Sequence, residues 1–252
     1  MKLAKFWTRG SAEYEGVRAS ARGWSDDSFD AAKAKAREIA RRVAERVVTH
    51  PFEKEKYPYG DRPLPEPILR QFSSGAAAVT RNAYGALILN TDEMMFVDID
   101  NEDRRPPNID VETIASKHGL SGRFYQTAAG YRVILTDRKF VPGSPESEAL
   151  LQEFGADTMY ARLCKMQLSF RARLTPKPWR CQFYKPRVKY PYESPRDEAA
   201  FNEWLAQYNG KTRGYATCKL VSSFGMQVIA GFGELLVYHD EETKAFSDLP
   251  LA

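Results

Sequence analysis

Two aspartates at the end of an apolar run, Met94-Met95-Phe96-Val97-Asp98-Ile99-Asp100, are the residues of this chain best suited to chemistry. On a strand, Asp98 and Asp100 point to one face while Val97 and Ile99 point to the other. Adjacent carboxylates repel each other and lose hydration if that face is covered. They persist where a divalent cation bridges them or where the strand end meets solvent. The spacing makes Asp98 and Asp100 candidate ligands for Mg²⁺ or Mn²⁺, and candidate catalytic residues, since such a cation polarises a phosphoryl group and neutralises developing charge. The competing reading is a carboxylate pair that caps the turn running into Asn101-Glu102-Asp103, with Glu102 and Asp103 as further ligands or solvated charges. Without metal, Asp98→Asn is expected to relieve that repulsion and raise thermal stability.

A second constellation lies between Asp157 and Glu193, where there is no acidic residue. Arg162, Lys165, Arg171, Arg173, Lys177, Arg180, Lys185, Arg187 and Lys189 alternate there with Tyr160, Phe170, Trp179, Phe183, Tyr184, Tyr190 and Tyr192. Cations neutralise phosphates and flat rings stack on unpaired bases, so the stretch suits a single strand or a nucleotide. In Phe170-Arg171-Ala172-Arg173-Leu174 the strand period sends Phe170, Ala172 and Leu174 to the core and leaves Arg171 and Arg173 on the open face. A solvated basic edge strand followed by a proline-rich loop is the plainer alternative, but a surface without function usually mixes both signs of charge. Thr127-Ala128-Ala129-Gly130-Tyr131-Arg132 is a small-residue turn that lets a backbone approach a phosphate, with Arg132 as a clamp; a tight hairpin explains it equally well.

Other chemistries find little support. There is no GxxxxGK[ST] phosphate loop and no GxSxG elbow. His50, His118 and His239 do not cluster, and His239, inside Tyr238-His239-Asp240-Glu241-Glu242, reads as a surface residue. Cys164, Cys181 and Cys218 are odd in number and dispersed, which argues for buried, reduced thiols and a cytoplasmic protein. The chain of 252 residues is 43% hydrophobic with net charge +4, enough for one large or two small domains. No apolar run approaches the roughly 18 residues a membrane span needs, and the N-terminus lacks the stretch of a secretory signal.

The elements that position these residues are legible from period and punctuation. Leu3–Thr8 and Tyr14–Ala21 read as a strand pair turning near Arg9-Gly10-Ser11. A helix capped by Ser25 or Asp26 follows, with Ala32, Ala36, Ile39, Val43 and Val47 as its apolar face. Its remaining surface carries Lys33, Lys35, Arg37, Arg41, Arg42 and Arg46, a solvated face or a phosphate-contacting one. Pro51, Pro58, Pro63, Pro65 and Pro67 mark a linker. Residues 1–60 are thus a ββα unit with its linker, 68–192 a core, and 193–252 a mainly helical C-terminal segment. Within the core, Ala76–Arg81 and Gly85–Asn90 form a hairpin. From Met94–Asp100 the order is β-α-β-β-α-β: helix Val111–His118 stopped by Gly119, hairpin Arg123–Thr127/Tyr131–Thr136, helix Pro145–Phe154 after Ser144, and strand Phe170–Leu174, with Trp179–Tyr184 another strand. The fold class is α+β, with a ferredoxin-like or RNA-recognition-type (RRM-like) core.

An apolar strand ending in Asp98-x-Asp100, inside that element order, resembles the palm of archaeo-eukaryotic-type primases and primase-polymerases. The resemblance covers roughly residues 76–190. It implies that the two aspartates hold divalent metal and that the Thr127–Arg132 turn contacts nucleotide phosphates, with Arg132 where the family carries a histidine. It also implies that Phe170–Lys177 corresponds to a basic strand and turn beside the nucleotide. Of the third metal aspartate, Asp137 and Asp157 are the nearby candidates. The expected function is metal-dependent nucleotidyl or phosphoryl transfer on nucleic acid or nucleotides, with Arg132, Arg171, Arg173, Lys177 and Arg180 as phosphate ligands. The alternative is a non-catalytic nucleic-acid-binding module using residues 160–192; protein partners are not specified.

Overall fold

The computed structural model describes residues 1–50, 62–73, 75–100 and 110–252. Most of the expected linker, and Glu102 and Asp103, lie outside the described residues. The architecture is α+β, with one two-stranded hairpin, two four-stranded sheets and six α-helices among the described residues.

Strands β1 (Phe6–Tyr14) and β2 (Val17–Ser25) pair along their whole length. They turn at Glu15-Gly16, whose φ values of 45° and 80° are both left-handed, as a two-residue hairpin turn matched to strand twist requires. The expected turn at Arg9-Gly10-Ser11 is instead mid-strand. Gly10 has a packing role: a Cβ there would come within 2.9 Å of Ala36 Cβ, and one at Gly23 within 2.1 Å of the Ala32 carbonyl oxygen. Helix α1 (Phe29–Thr49), capped by Ser28, therefore lies directly on the hairpin backbone. Only methyl side chains fit that approach, so the buried stripe is Ala32, Ala36, Ala40 and Ala44, while Val43 and Val47 stay exposed. The apolar face expected over Ile39, Val43 and Val47 is rotated accordingly.

In the main body, β3 (Ile68–Gln71), β4 (Ala77–Arg81) and β5 (Leu87–Thr91) form an antiparallel meander. Then come β6 (Phe96–Asp100), α2 (Val111–His118), β7 (Gly122–Thr127), β8 (Gly130–Leu135), α3 (Pro145–Glu153), α4 (Thr158–Gln167) and β9 (Phe170–Arg173). This is the expected β-α-β-β-α-β order with α4 added. The strands do not close into one sheet, however. β6, β8 and β7 stand side by side, whereas β9 hydrogen-bonds to β5 in the other sheet. The remaining edge of the β6-β8-β7 sheet is taken by β10 (Cys218–Phe224), paired with β7.

The C-terminal segment is thus not mainly a helical appendage: between α5 (Pro195–Thr212) and α6 (Phe232–Thr243) it supplies a strand of the core. The strand expected at Trp179–Tyr184 is a 3₁₀ turn, Pro178–Cys181. Pro178 stands at the start of that turn, where its fixed φ suits a helical start rather than a strand.

One apolar core runs through both sheets, with Leu89, Phe96, Val97, Val133, Phe154 and Phe170 among its fully enclosed members. Each such side chain contributes roughly 1.5–3 kcal/mol on burial. α2 and α3 are neighbours, Glu153 pairing with Lys117 and with His118 at 2.7 and 2.8 Å. α6 crosses the face of the sheet that carries Phe96, Asp98 and Arg132, its His239 ring stacked on Phe96. No helix among the described residues is long and apolar enough to cross a membrane.

Candidate functional site

The apolar run before Asp98 buries Met94, Met95, Phe96 and Val97 completely. At the strand end the burial alternates: Asp98 is half-buried, Ile99 buried and Asp100 exposed. The two carboxylates therefore share one solvent-reachable face, as the strand period requires. Opposite Asp100 in the ladder stands Gly130, which puts no side chain over it.

Opposite Asp98 stands Arg132. The expectation that Arg132 clamps a phosphate is corrected by its surroundings, for its side chain is 1% exposed. One guanidinium nitrogen donates to Asp98 Oδ1 at 3.1 Å, and the other donates to the Arg173 carbonyl oxygen at 2.9 Å and meets His239 Nε2 at 3.3 Å. Arg132 thus fixes the Asp98 carboxylate and clasps β8 to β9 across the gap between the sheets. Asp98 raises the Arg132 pKa against the opposing effect of burial.

His239, read from the sequence as a surface residue, is fully enclosed. Nδ1 faces Asp240 Oδ1 at 2.9 Å and Nε2 faces Arg132, so the neutral ring donates through Nδ1 and accepts through Nε2. Burial, chiefly, holds its pKa down to about 4. Asp240 also accepts from Tyr125 Oη at 2.7 Å and pairs with Arg123, so a chain of polar groups runs from the surface to Asp98. The signal for this was present in α6, where Phe232, Leu235, Leu236, His239, Asp240 and Thr243 form one buried helical stripe.

Around Asp100 the electrostatics are mixed. Its pKa is raised by burial first, then by the carboxylates of Asp98 and Asp157, and is partly lowered by Lys177 and Arg173. Asp157 enters because its amide donates to the Asp98 carbonyl oxygen at 2.9 Å, which anchors the start of α4 on β6. Its own carboxylate caps α4 through the Tyr160 amide. The other nearby aspartate, Asp137, is buried elsewhere, accepting from the Ser121 amide and pairing with Arg138.

Lys177 is pushed down by burial and by Arg173 and Arg180, with Asp100 and Asp98 opposing. Arg173 is likewise pushed down by burial while Asp98 raises it. Asp98, Asp100, Arg132, Arg173, Lys177 and Arg180 therefore act on one another electrostatically. Arg171 does not join them. The open face expected for it is covered by Glu66, which its guanidinium grips at 2.8 and 2.9 Å, with Asn90 Oδ1 at 2.7 Å.

The turn carrying Lys177 is held from α5. Tyr208 Oη donates to the Pro176 carbonyl oxygen at 2.6 Å, and Trp204 stacks on Tyr208 at 5.0 Å. Beyond it, the half-exposed rings of Trp179 and Tyr84 meet edge to face at 5.2 Å. The Lys185 ammonium lies over both rings, 4.7 and 5.4 Å from their centres. Trp179 and Lys185 belong to the basic-aromatic stretch, but Tyr84 comes from the β4–β5 turn and was not legible as a partner.

Two carboxylates on one open strand face suit Mg²⁺, which commonly takes one or two protein carboxylates and completes its shell with water and substrate phosphates. Among the described residues, no three His, Cys, Asp or Glu side chains stand together as a metal-ligating group. Comparison of the chain with family models, curated proteins and solved structures found no match.

Proposed function

We propose that this chain is a metal-dependent nucleotidyl- or phosphoryl-transfer domain acting on nucleic acid or nucleotides, built around an RRM-like palm of the primase-polymerase type. What carries the reading is the pair Asp98 and Asp100 on one open face, within the electrostatic reach of Arg173 and Lys177. The side-by-side arrangement of β6, β8 and β7 is consistent with it. Asp98 and Asp100 would hold Mg²⁺ or Mn²⁺, which when bound polarises a phosphoryl group and neutralises its developing charge. Lys177 and Arg180 would orient phosphates, and Arg132 would act as a positioning residue that holds the Asp98 carboxylate in place. The test is nucleotide incorporation on a single-stranded template with Mg²⁺ or Mn²⁺. Asp98→Asn should fold yet lose activity by several kcal/mol of transition-state stabilisation. Full activity in that variant would remove Asp98 from the machinery. If no nucleotide, nucleic acid or divalent ion shifted the wild-type melting temperature, the site reading itself would fall.

The exposed Tyr84–Trp179–Lys185 cluster favours a second reading, a non-catalytic module that stacks bases of a single strand. Such stacking is worth about 1–3 kcal/mol per base. Oligonucleotide binding that survives chelator, without turnover, and weakens in Trp179→Ala is the result this reading requires.

A further inference from the structure

The β1–β2 register sets Arg9 directly opposite Arg22, so two guanidinium groups stand side by side on one face of the hairpin. Like charges at that position in a ladder are destabilising. Arg9 is partly accounted for: it pairs with Glu193, and its Nε donates to the Pro191 carbonyl oxygen at 3.2 Å. Arg22 is not. Its Nε is buried without a hydrogen-bond partner, and it makes no hydrogen bond or ion pair with a described residue. An unsatisfied buried donor on a cation is costly. Arg62 adds a third guanidinium, and Arg9, Arg22 and Arg62 together line a cleft of about 300 Å³ walled on one side by Ile39 and Val43 of α1.

We propose that this cleft is a phosphate-binding site that seats the backbone of a nucleic-acid strand. The proposal rests on the nucleic-acid reading of the chain but not on turnover. Guanidinium forks match phosphate oxygens in pairs, and a bound phosphate supplies both the missing acceptor for Arg22 and the negative charge that separates the repelling arginines. Burial and the charges of Arg9 and Arg62 lower the Arg22 pKa, the direction an anion in the cleft would reverse. A strand, rather than an isolated anion, is favoured by what continues from the cleft. Lys35 and Arg42 lie four residues before and three after Ile39, on the same side of α1. The cations therefore extend past the reach of one phosphate, and the Ile39–Val43 wall suits a sugar.

The experiment is fluorescence anisotropy of a labelled single-stranded oligodeoxynucleotide over a salt series, with wild type, Arg22→Gln and Arg22→Lys. Arg22→Gln should weaken binding about 5-fold and lower the salt slope by about one. Its melting temperature should hold or rise, since no described hydrogen bond is lost and the repulsion with Arg9 is removed. Arg22→Lys should recover part of the slope. Equal affinity and slope in wild type and Arg22→Gln would overturn the cleft while leaving nucleic-acid binding elsewhere intact. Absence of wild-type binding at low salt would overturn both readings. If pyrophosphate raised the melting temperature of wild type but not of Arg22→Gln, and the oligonucleotide still did not bind, the cleft would take a free phosphoryl compound and the strand proposal would be wrong.

Discussion

Two arginine–carboxylate pairs in this molecule use the same groups to opposite ends. Arg171 and Glu66 form a closed pair: both are under 9% exposed, both carboxylate oxygens are engaged by one guanidinium nitrogen, and Asn90 and Thr80 take the remaining bonds. Arg132 and Asp98 form an open pair. The arginine is 1% exposed, but Asp98 is 29% exposed, bonds Arg132 through Oδ1 alone, and the Arg132 Nε has no partner. A closed pair has nothing left to offer a ligand, and removing one partner strands a buried charge. An open pair keeps one carboxylate oxygen without a hydrogen bond from the described residues, next to a second carboxylate. Completeness of hydrogen bonding, more than residue type, separates the two.

The difference can be broken most forcefully at the closed pair. Glu66→Ala should cost about 3–5 kcal/mol of stability, because it leaves Arg171 charged and buried. Chemical denaturation measures this, and a loss under 1 kcal/mol would mean that the pair is not closed in solution.

Next in size is an acid-dependent loss seated behind the open pair. His239 titrates near 4 when folded, against an ordinary value of 6.5. Between those values the unfolded chain binds a proton that the folded chain refuses, so stability falls as pH drops from 6.5 toward 4, by roughly 3 kcal/mol. Denaturation midpoints at several pH values should show the slope in wild type and its reduction in His239→Asn.

Asp98→Asn keeps an acceptor for Arg132 but exchanges a charge-assisted bond for a neutral one, a cost of about 1 kcal/mol without metal. A rise in melting temperature would instead show that carboxylate repulsion outweighs the arginine contact. The smallest expected effect has the opposite sign. Asp100 has no such partner among the described residues, and its pKa is raised from 3.8. Its ionisation therefore opposes folding above the ordinary carboxylate range, and the penalty vanishes as pH falls below that range. Asp100→Asn should stabilise the metal-free protein at pH 7 by under ~1 kcal/mol, since Asp100 is exposed, with the gain lost below about pH 4. The relief of repulsion expected from Asp98→Asn is thus reassigned to Asp100, because Asp98 already has Arg132 as its partner.

The contrast also marks what the sequence could reveal. Local rules carried far: the strand period put Asp98 and Asp100 on one face, and the helix signals at Gly119 and Ser144 correspond to observed caps. What escaped was set by contacts distant along the chain. Alternation put Arg171 on the same strand face as Arg173, yet Glu66, 105 residues away, covers it. His239 was obscured for a different reason, since the acidic run that follows it masked a helical stripe visible in the spacing. The pairing of β9 with β5 depends on which edge the strand reaches, and side-chain period does not encode that.

The Arg132 clasp has a consequence for the order in which this chain matures. Its three partners come from β6, β9 and α6, at residues 98, 173 and 239. During synthesis the N-terminal elements emerge first, so Arg132 and Asp98 are complete as a strand pair well before His239 leaves the ribosome. Until then one face of the buried guanidinium lacks its imidazole. A nascent chain halted before α6 would hold both aspartates and most of the core while Arg132 lacked one of its three partners. Completion of the Arg132 clasp behind the carboxylate pair therefore follows formation of the strand that bears the acids, and waits on α6.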